Sequence, residues 1–307
     1  EVYGGRVGAA AKRYATNCAT GFRVFDIAEL DYSFDMCRGK NKEQIAAWRD
    51  NDGPRWMDDE RLSVVRDCAF TRVCERAIAD ADCVLHLAYP RLDVCEAHPY
   101  RGARAVGDAR ALIRDMETRG VGARLIFPST CSTYGASPDR TVTEEDALDL
   151  CSVYARTKHE CEDVVRAAGG VVLRLATVVG TSPIQRYDTF ANGAALSAAR
   201  GETMKVYNPS ARRALIDIGD VCDALVVAIR QRHRLADGGV YNVVGENRTK
   251  LEIVEAAGCA AEGVPDVGDP RDYAVNDNRF REATGWAPRR RCADSIGAVR
   301  RAAELGA

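Results

Sequence analysis

The chain predicts an α/β fold, a doubly wound and mostly parallel sheet with a smaller lobe toward its C-terminal end. Three observations carry this. Short apolar runs at Cys83–Ala88, Leu125–Phe127 and Val171–Leu175 are separated by stretches of helical periodicity, the alternation that βαβ units produce. The runs are apolar at nearly every position, as strands buried on both faces are. The strict alternation then ends near Pro183. The expected division is therefore 1–182 for the sheet domain, with returns of the chain near 213–245, and 183–307 mainly for the second lobe.

Taken in order, Glu1–Gly8 should form a first strand and a turn through Gly5, Val7 and Gly8, followed by an Ala-rich helix over Ala9–Ala19. Glycines let backbone N–H groups approach a pyrophosphate at a helix N-terminus, where the dipole favours negative charge. The second strand, Phe22–Phe25, ends at Asp26. A carboxylate about twenty residues past the glycines can accept both ribose hydroxyls of an adenosine, and it repels a 2′-phosphate. NAD is thereby favoured over NADP. Residues 31–63 lack periodicity and are strongly charged from Lys40 to Arg61, which reads as a surface insertion. Residues 69–81 read as a helix, and Cys83–Ala88 as a buried strand in which His86 packs. Arg101–Arg119 is a long amphipathic helix.

The strand at Leu125–Phe127 ends in a hydroxyl-rich run at Ser129, Thr130, Ser132 and Thr133. A polar loop follows, then a helix on which Tyr154 and Lys158 are four residues apart and share one face. The spacing has a chemical reason. A phenol with a pKa of about 10 is a poor base at neutral pH, and a nearby ammonium favours its phenolate. Thr130 can then share the proton of a substrate alcohol as it is oxidised. An ordinary amphipathic helix would also place Tyr and Lys on one face. The preceding strand with its hydroxyl end separates the two readings. Beyond Val171–Leu175, Asn192 opens a helix of small residues, a helix follows Asp220, and Gly239–Val243 is a strand re-entering the core.

STCSTYG beginning at Ser129, together with YxxxK at Tyr154 and Lys158, resembles the extended short-chain dehydrogenase/reductase family, in its NAD-dependent epimerase/dehydratase branch of nucleotide-sugar enzymes. The likeness runs over nearly the whole chain and is weakest at the N-terminus. It implies a Rossmann-type domain, a C-terminal substrate-binding lobe and a catalytic set of Thr130, Tyr154 and Lys158. Lys158 would lower the Tyr154 pKa and hold the nicotinamide ribose. The family's GxxGxxG keeps only its last two glycines here, at Gly5 and Gly8. Either Val2 stands where the first belongs or the turn is two residues short. Val64–Cys68 is similar to the family's next strand, with Asp67 and Cys68 at the adenine. Leu87 and Ala88 fall in its "HLAA" signature near the nicotinamide ribose, where Tyr89-Pro90-Arg91 replaces the usual small residues.

The resemblance also implies the substrate contacts. Thr177 stands at the usual Asn of a diphosphate-binding turn, and Asn192 at a nucleotide contact. RALIDIGD from Arg213 matches "RDFIHVDD", so Arg213 should grip a phosphate, as a guanidinium fork does well. Gly268-Asp269 is similar to a "GD" pair near the substrate ribose. DNRFREATGWAP from Asp277 is similar to the family's terminal helix cap. Dehydratases of the family carry Asp-Glu after the catalytic Thr, and the decarboxylases a Glu where Ser132 stands. Cys131 and Ser132 occupy those places, leaving the epimerase pattern of a small hydroxyl residue two before the Tyr. The alternatives are a reductase or dehydratase of the same family, or a nucleotide-binding descendant without catalysis. A homodimer through the Arg101–Arg119 and Tyr154–Glu162 helices is expected.

The bulk numbers agree with this reading. The 307 residues, 46% of them hydrophobic, suffice for one large core plus a lobe. A net charge of −2 gives no electrostatic reason to expect nucleic acid or an anionic membrane. Twelve scattered cysteines with no CxxC pair, and four histidines, argue against a zinc site. They suit reduced, mostly buried thiols in a cytosolic protein. No apolar run approaches the length of a membrane span and no signal peptide is visible.

Overall fold

A computed structural model of the chain describes residues 81–122, 124–182, 185–264 and 270–305. The glycine turn, Asp26, Asp67, Cys68, all but the last residue of the helix expected over 69–81, and Asp269 lie outside the described residues.

A four-stranded parallel sheet runs in the order β1 (Cys83–Leu85), β2 (Arg124–Thr130), β4 (Val171–Leu175) and β8 (Val240–Val243). Its strands alternate their side chains between two cores. Leu125 and Phe127 of β2, Val172 of β4 and Val240 of β8 face one side. Ile126, Val171, Leu173 and Val243 face the other. Both faces are dry, which is why the strands read as continuous apolar runs.

Helices α1 (Leu92–Ala97) and α2 (Pro99–Thr118) follow β1, and α3 (Val153–Ala167) crosses from β2 back to β4. The first core is closed by Val106, Ala109, Leu112, Ile113 and Met116 of α2 and by Cys161 and Val165 of α3. Helix α3 starts where Ser152 accepts the Ala155 N–H at 3.0 Å, an N-cap that satisfies one orphan donor. Its buried positions Ala155, Lys158, Cys161, Glu162 and Val165 recur at helical spacing toward the sheet, while buried Thr157 faces α2. Gly102 lets α2 approach α3 closely, because a Cβ there would sit 2.8 Å from the Thr157 hydroxyl.

The stretch expected as a polar loop holds a short 3-10 turn (Cys131–Tyr134) and a strand, β3 (Ala136–Val142), which pairs in parallel with β11 (Asp272–Val275). Gly135 joins the two with φ 55°, and a Cβ there would lie 2.2 Å from the Asp149 carbonyl. Only glycine fits this position.

The rest of the chain builds a second layer. Strand β7 (Arg212–Asp217) pairs with β5 (Thr177–Val179) in parallel and with β9 (Glu246–Thr249) antiparallel, and β6 (Thr203–Tyr207) pairs with β10 (Ala260–Val264). Helices α4 (Phe190–Ala199), α6 (Lys250–Ala257) and α8 (Cys292–Glu304) pack a third core around Leu215, Ile253 and Ile296. Helix α5 (Ile218–Arg230) instead covers the large sheet, with Val221, Ala224 and Leu225 in its core. A last short helix, α7 (Asn278–Thr284), ends at Gly285 in the left-handed region, and its Phe280 packs with Trp286. Asn192 is the third residue of α4 rather than its first. The strand expected over Cys83–Ala88 is regular only to Leu85, although the His86 N–H still donates to the Ile126 carbonyl at 2.9 Å.

Candidate active site

The carboxyl end of β2 meets the first turns of α3, and the hydroxyl run converges there with Tyr154 and Lys158. Thr130 ends β2 and caps the following 3-10 turn, its hydroxyl accepting the Ser132 N–H at 3.1 Å. Its hydroxyl lies beside the Tyr154 phenol and acts to lower the phenol's pKa. The Tyr154 N–H, exposed at the start of α3, donates to Glu96 of α1 at 3.1 Å. Burial pushes the Tyr154 phenol up to about 12, opposed first by the Arg186 guanidinium and also by the Thr130 hydroxyl beside it.

Lys158 is buried, and its ammonium donates to the Pro128 carbonyl at 2.8 Å. Burial lowers its pKa to about 8. Its Nζ lies 6.0 Å from the centre of the Tyr154 ring. The Arg186 guanidinium is a second cation that acts on Tyr154. The Lys158 ammonium is turned onto Pro128 and lies between the rings of Tyr89 and Phe127, at 4.0 and 4.4 Å from their centroids.

The other candidates stand around this centre. Ser132 lies beside Tyr273, whose ring Arg213 covers at 5.8 Å. Arg213 is itself buried and donates to the carbonyls of Arg212 and Arg271. Asn192 is fully buried. Its amide donates to the Arg186 carbonyl at 3.0 Å, while its Oδ1 lacks a donor among the described residues. A buried acceptor left in that state is a place for a ligand's N–H or O–H. Thr177 begins β5, in register with Leu215. Leu87 and Ala88 leave β1 at the same edge of the sheet.

Two groups of residues at this centre carry no motif. Glu162 and Arg174 form a buried ion pair behind the hydroxyl run. The guanidinium donates to both carboxylate oxygens, at 3.1, 3.2 and 2.7 Å, and Ser129 donates to the same carboxylate. Arg174 also donates to the Tyr134 hydroxyl at 3.1 Å, which in turn donates to Asn242 at 2.8 Å. An Arg inside the apolar run VVLRL was the available signal, because a buried charge demands a partner. The second group is Arg186 with its partner Asp188, on an irregular segment whose sequence gives no sign of its approach to Tyr154. Cys131 is buried against the Arg174 carbonyl at 3.3 Å, and burial raises its thiol pKa well above the ordinary value. It packs rather than reacts.

This edge fits the nicotinamide half of a dinucleotide. Ligands of open parallel sheets bind beyond the carboxyl ends of the strands. Here those ends bring together the small Ala88, two hydroxyls and an ammonium, beside a buried His86 Nε2 that has no hydrogen-bond partner among the described residues. The residues expected to hold the pyrophosphate and adenosine lie outside the described part of the chain.

A family model described as "NAD dependent epimerase/dehydratase family" matches residues 33–244. UDP-arabinose 4-epimerase 1 of Arabidopsis thaliana is 29% identical over 209 residues, 57% of this chain and 49% of that protein. The chain thus spans about half the length of the curated relatives it matches. Among solved structures, a UDP-glucuronic acid 4-epimerase from Bacillus cereus superposes with a TM-score of 0.76 at 17% identity, over 99% of this chain and 98% of that one. A dTDP-glucose 4,6-dehydratase from Streptomyces venezuelae, in double-mutant form, gives 0.75 at 19% identity, over 97% and 94%. An epimerase and a dehydratase superpose equally well, so the fold does not choose between reactions.

Proposed function

The chain belongs to the NAD dependent epimerase/dehydratase family, and from that premise we propose that it epimerises a nucleotide-activated sugar with NAD, through a transient keto intermediate. The observation that carries this reading is the Thr130–Tyr154–Lys158 cluster, closed on its strand side by Cys131 and Ser132 rather than by carboxylates. Elimination of water needs a further acid and base. Inversion needs only that the same pair act twice.

NAD, when bound, accepts a hydride from the sugar carbon and later returns it. The chain's own residues handle the proton and the placement. Thr130 holds the reacting hydroxyl against the Tyr154 oxygen. Tyr154 removes that proton and gives it back after the keto-sugar has turned over. Lys158 keeps positive charge beside the phenolate and holds the nicotinamide ribose with Tyr154, alongside Leu87 and Ala88. Gly5, Val7, Gly8, Asp26, Asp67 and Cys68 hold the rest of the dinucleotide. Ser132, Thr177, Asn192, Arg213 and Asp269 hold the nucleotide-sugar, with Arg213 on its diphosphate. The 29% identity to a UDP-arabinose 4-epimerase supports UDP as the nucleotide and C4 as the carbon to test first. A cytoplasmic homodimer through α2 and α3 completes the proposal. No described helix is long and apolar enough to cross a membrane.

The test starts from purified protein. Denaturation and chromatography should release one nicotinamide nucleotide, NAD, per chain. A panel of UDP-pentoses and UDP-hexoses should then show interconversion of C4 epimers with no net change in absorbance at 340 nm. A net change at 340 nm would replace the epimerase by a reductase, and loss of water from the sugar by a dehydratase. A protein that neither carries nor binds NAD would leave the non-catalytic descendant.

A further inference from the structure

The Lys158 ammonium is boxed in by aromatic faces. Tyr89 covers it at 4.0 Å and Phe127 at 4.4 Å from Nζ to ring centroid, and the Pro128 carbonyl accepts from it at 2.8 Å. The same Tyr89 ring meets Tyr154 edge to face at 5.8 Å, with an interplanar angle of 81°, and leans on Phe127 at 6.2 Å. One side chain therefore touches both Tyr154 and Lys158. It stands at a position where the resembling family carries a small residue.

The charges around Lys158 leave it little else. Cys161 and Glu162 face it from its own helix, Cys95 from α1 and His86 from the end of β1. Glu162 is committed to Arg174 and Ser129. Burial raises both thiols, Cys95 to about 11 and Cys161 to about 12, so they are uncharged near neutrality. Burial, helped by Lys158, lowers His86 to about 4, so it too is neutral. Among the described residues, what remains nearest the ammonium beyond the Pro128 carbonyl is the negative quadrupole of two rings, an attraction that grows when the pair is desolvated.

We propose that Tyr89 is a positioning residue for the acid/base pair, its ring face keeping the Lys158 ammonium charged while its edge sets the Tyr154 ring. The inference rests on the reading of Tyr154 and Lys158 as that pair, but its first test does not. Protein labelled with 13C at lysine Cε carries six lysines, and Lys158→Met identifies the Lys158 signal. Its titration is followed by NMR without substrate in the parent, Tyr89→Leu and Tyr89→Phe. The Leu variant, without a ring, should titrate about one pH unit lower, a tenfold easier loss of the proton. The Phe variant, with the ring but no hydroxyl, should titrate with the parent. Tyr89→Met takes the place of the Leu variant should that one fail to fold, and the same downward shift is required of it.

A ring-less variant that titrates with the parent overturns the proposal. So does a Phe variant that shifts as far as the ring-less one, since the hydroxyl would then be responsible. These outcomes are read without turnover, so they stand whatever substrate the enzyme takes. In active protein, the pH profile of turnover should move in the ring-less variant by the same amount as the Lys158 titration, and the Phe variant should restore it.

Discussion

Glu162→Gln isolates the buried ion pair that ties the helix bearing Tyr154 and Lys158 to the sheet. The Glu162 side chain is 0% exposed and that of Arg174 4%, so water cannot replace either partner. The substitution keeps the shape but removes the negative charge, leaving a desolvated guanidinium with a weak acceptor. Breaking a buried pair from one side costs about 3–5 kcal/mol. With a urea slope of ~3 kcal/mol/M the midpoint should fall by about 1–1.7 M. The pH dependence supplies a second reading. Burial alone would raise the Glu162 carboxyl, but its bonds to His159, Arg174 and Ser129 hold it below the ordinary 4.5. A carboxylate depressed in the folded state contributes stability above the unfolded value and loses it as pH falls through the folded one. The gap between parent and variant should therefore be full at pH 7 and narrow below pH 4.5. The double variant Glu162→Leu/Arg174→Met, with no charge left to satisfy, should recover at least half of the loss. Urea denaturation across pH decides the matter. A Gln variant within about 1 kcal/mol of the parent, or a double variant no better than the single, would refute the account of a dry, mutually dependent pair.

Tyr154→Phe should cut turnover by at least about 10³, within the range of positioned acid/base groups, and leave the denaturation midpoint unchanged. Activity that survives would remove Tyr154 from the mechanism. Lys158→Met should be inactive yet more stable. Its drop from 10.5 to about 8 is worth about 3 kcal/mol against the buried ammonium at 1.36 kcal/mol per unit. About 1 kcal/mol of that is returned because the Pro128 carbonyl loses its donor. The folded state releases this proton before the unfolded one does, so the parent gains stability between about pH 8 and 10.5. The variant's advantage of about 2 kcal/mol at pH 7 should shrink over that window in thermal melts. Gly135→Ala should cost at least about 3 kcal/mol, because a positive φ and the Asp149 carbonyl both oppose a Cβ. A melting temperature unchanged by that substitution would contradict the geometry of the turn.

What the sequence made legible was what its patterns encode. Val171–Leu175 has the predicted bounds, and the strand ending at Thr130 and the helix bearing Tyr154 and Lys158 lie where periodicity places them. Strand β3 was invisible because ASPDRTV has neither alternation nor β-branched density. It exists through backbone pairing to β11, a partner more than a hundred residues away. The Glu162–Arg174 pair was half legible, since an Arg in a dry strand announces a need without naming who meets it. Tyr89 registered only as a departure from pattern. Its role follows from the meeting of β1, β2 and α3, which no local window contains. Arg186 reaches Tyr154 by way of an irregular segment, where sequence carries no directional information at all.

The pairing of β3 with β11 bears on the order of events at the ribosome. Ser129, Thr130 and Ser132 leave the tunnel with Tyr154 and Lys158 close behind, yet the strand that braces them on one side is Asp272–Val275. The Tyr134–Asn242 bond and the Asn242 amide on the Asn276 carbonyl add further links to late-made residues. Until those residues emerge, β3 is an unpaired edge open to neighbouring chains. The nascent protein thus carries Thr130, Tyr154 and Lys158 well before it can hold them in place, and a stretch translated more than a hundred residues after Thr130 completes the centre.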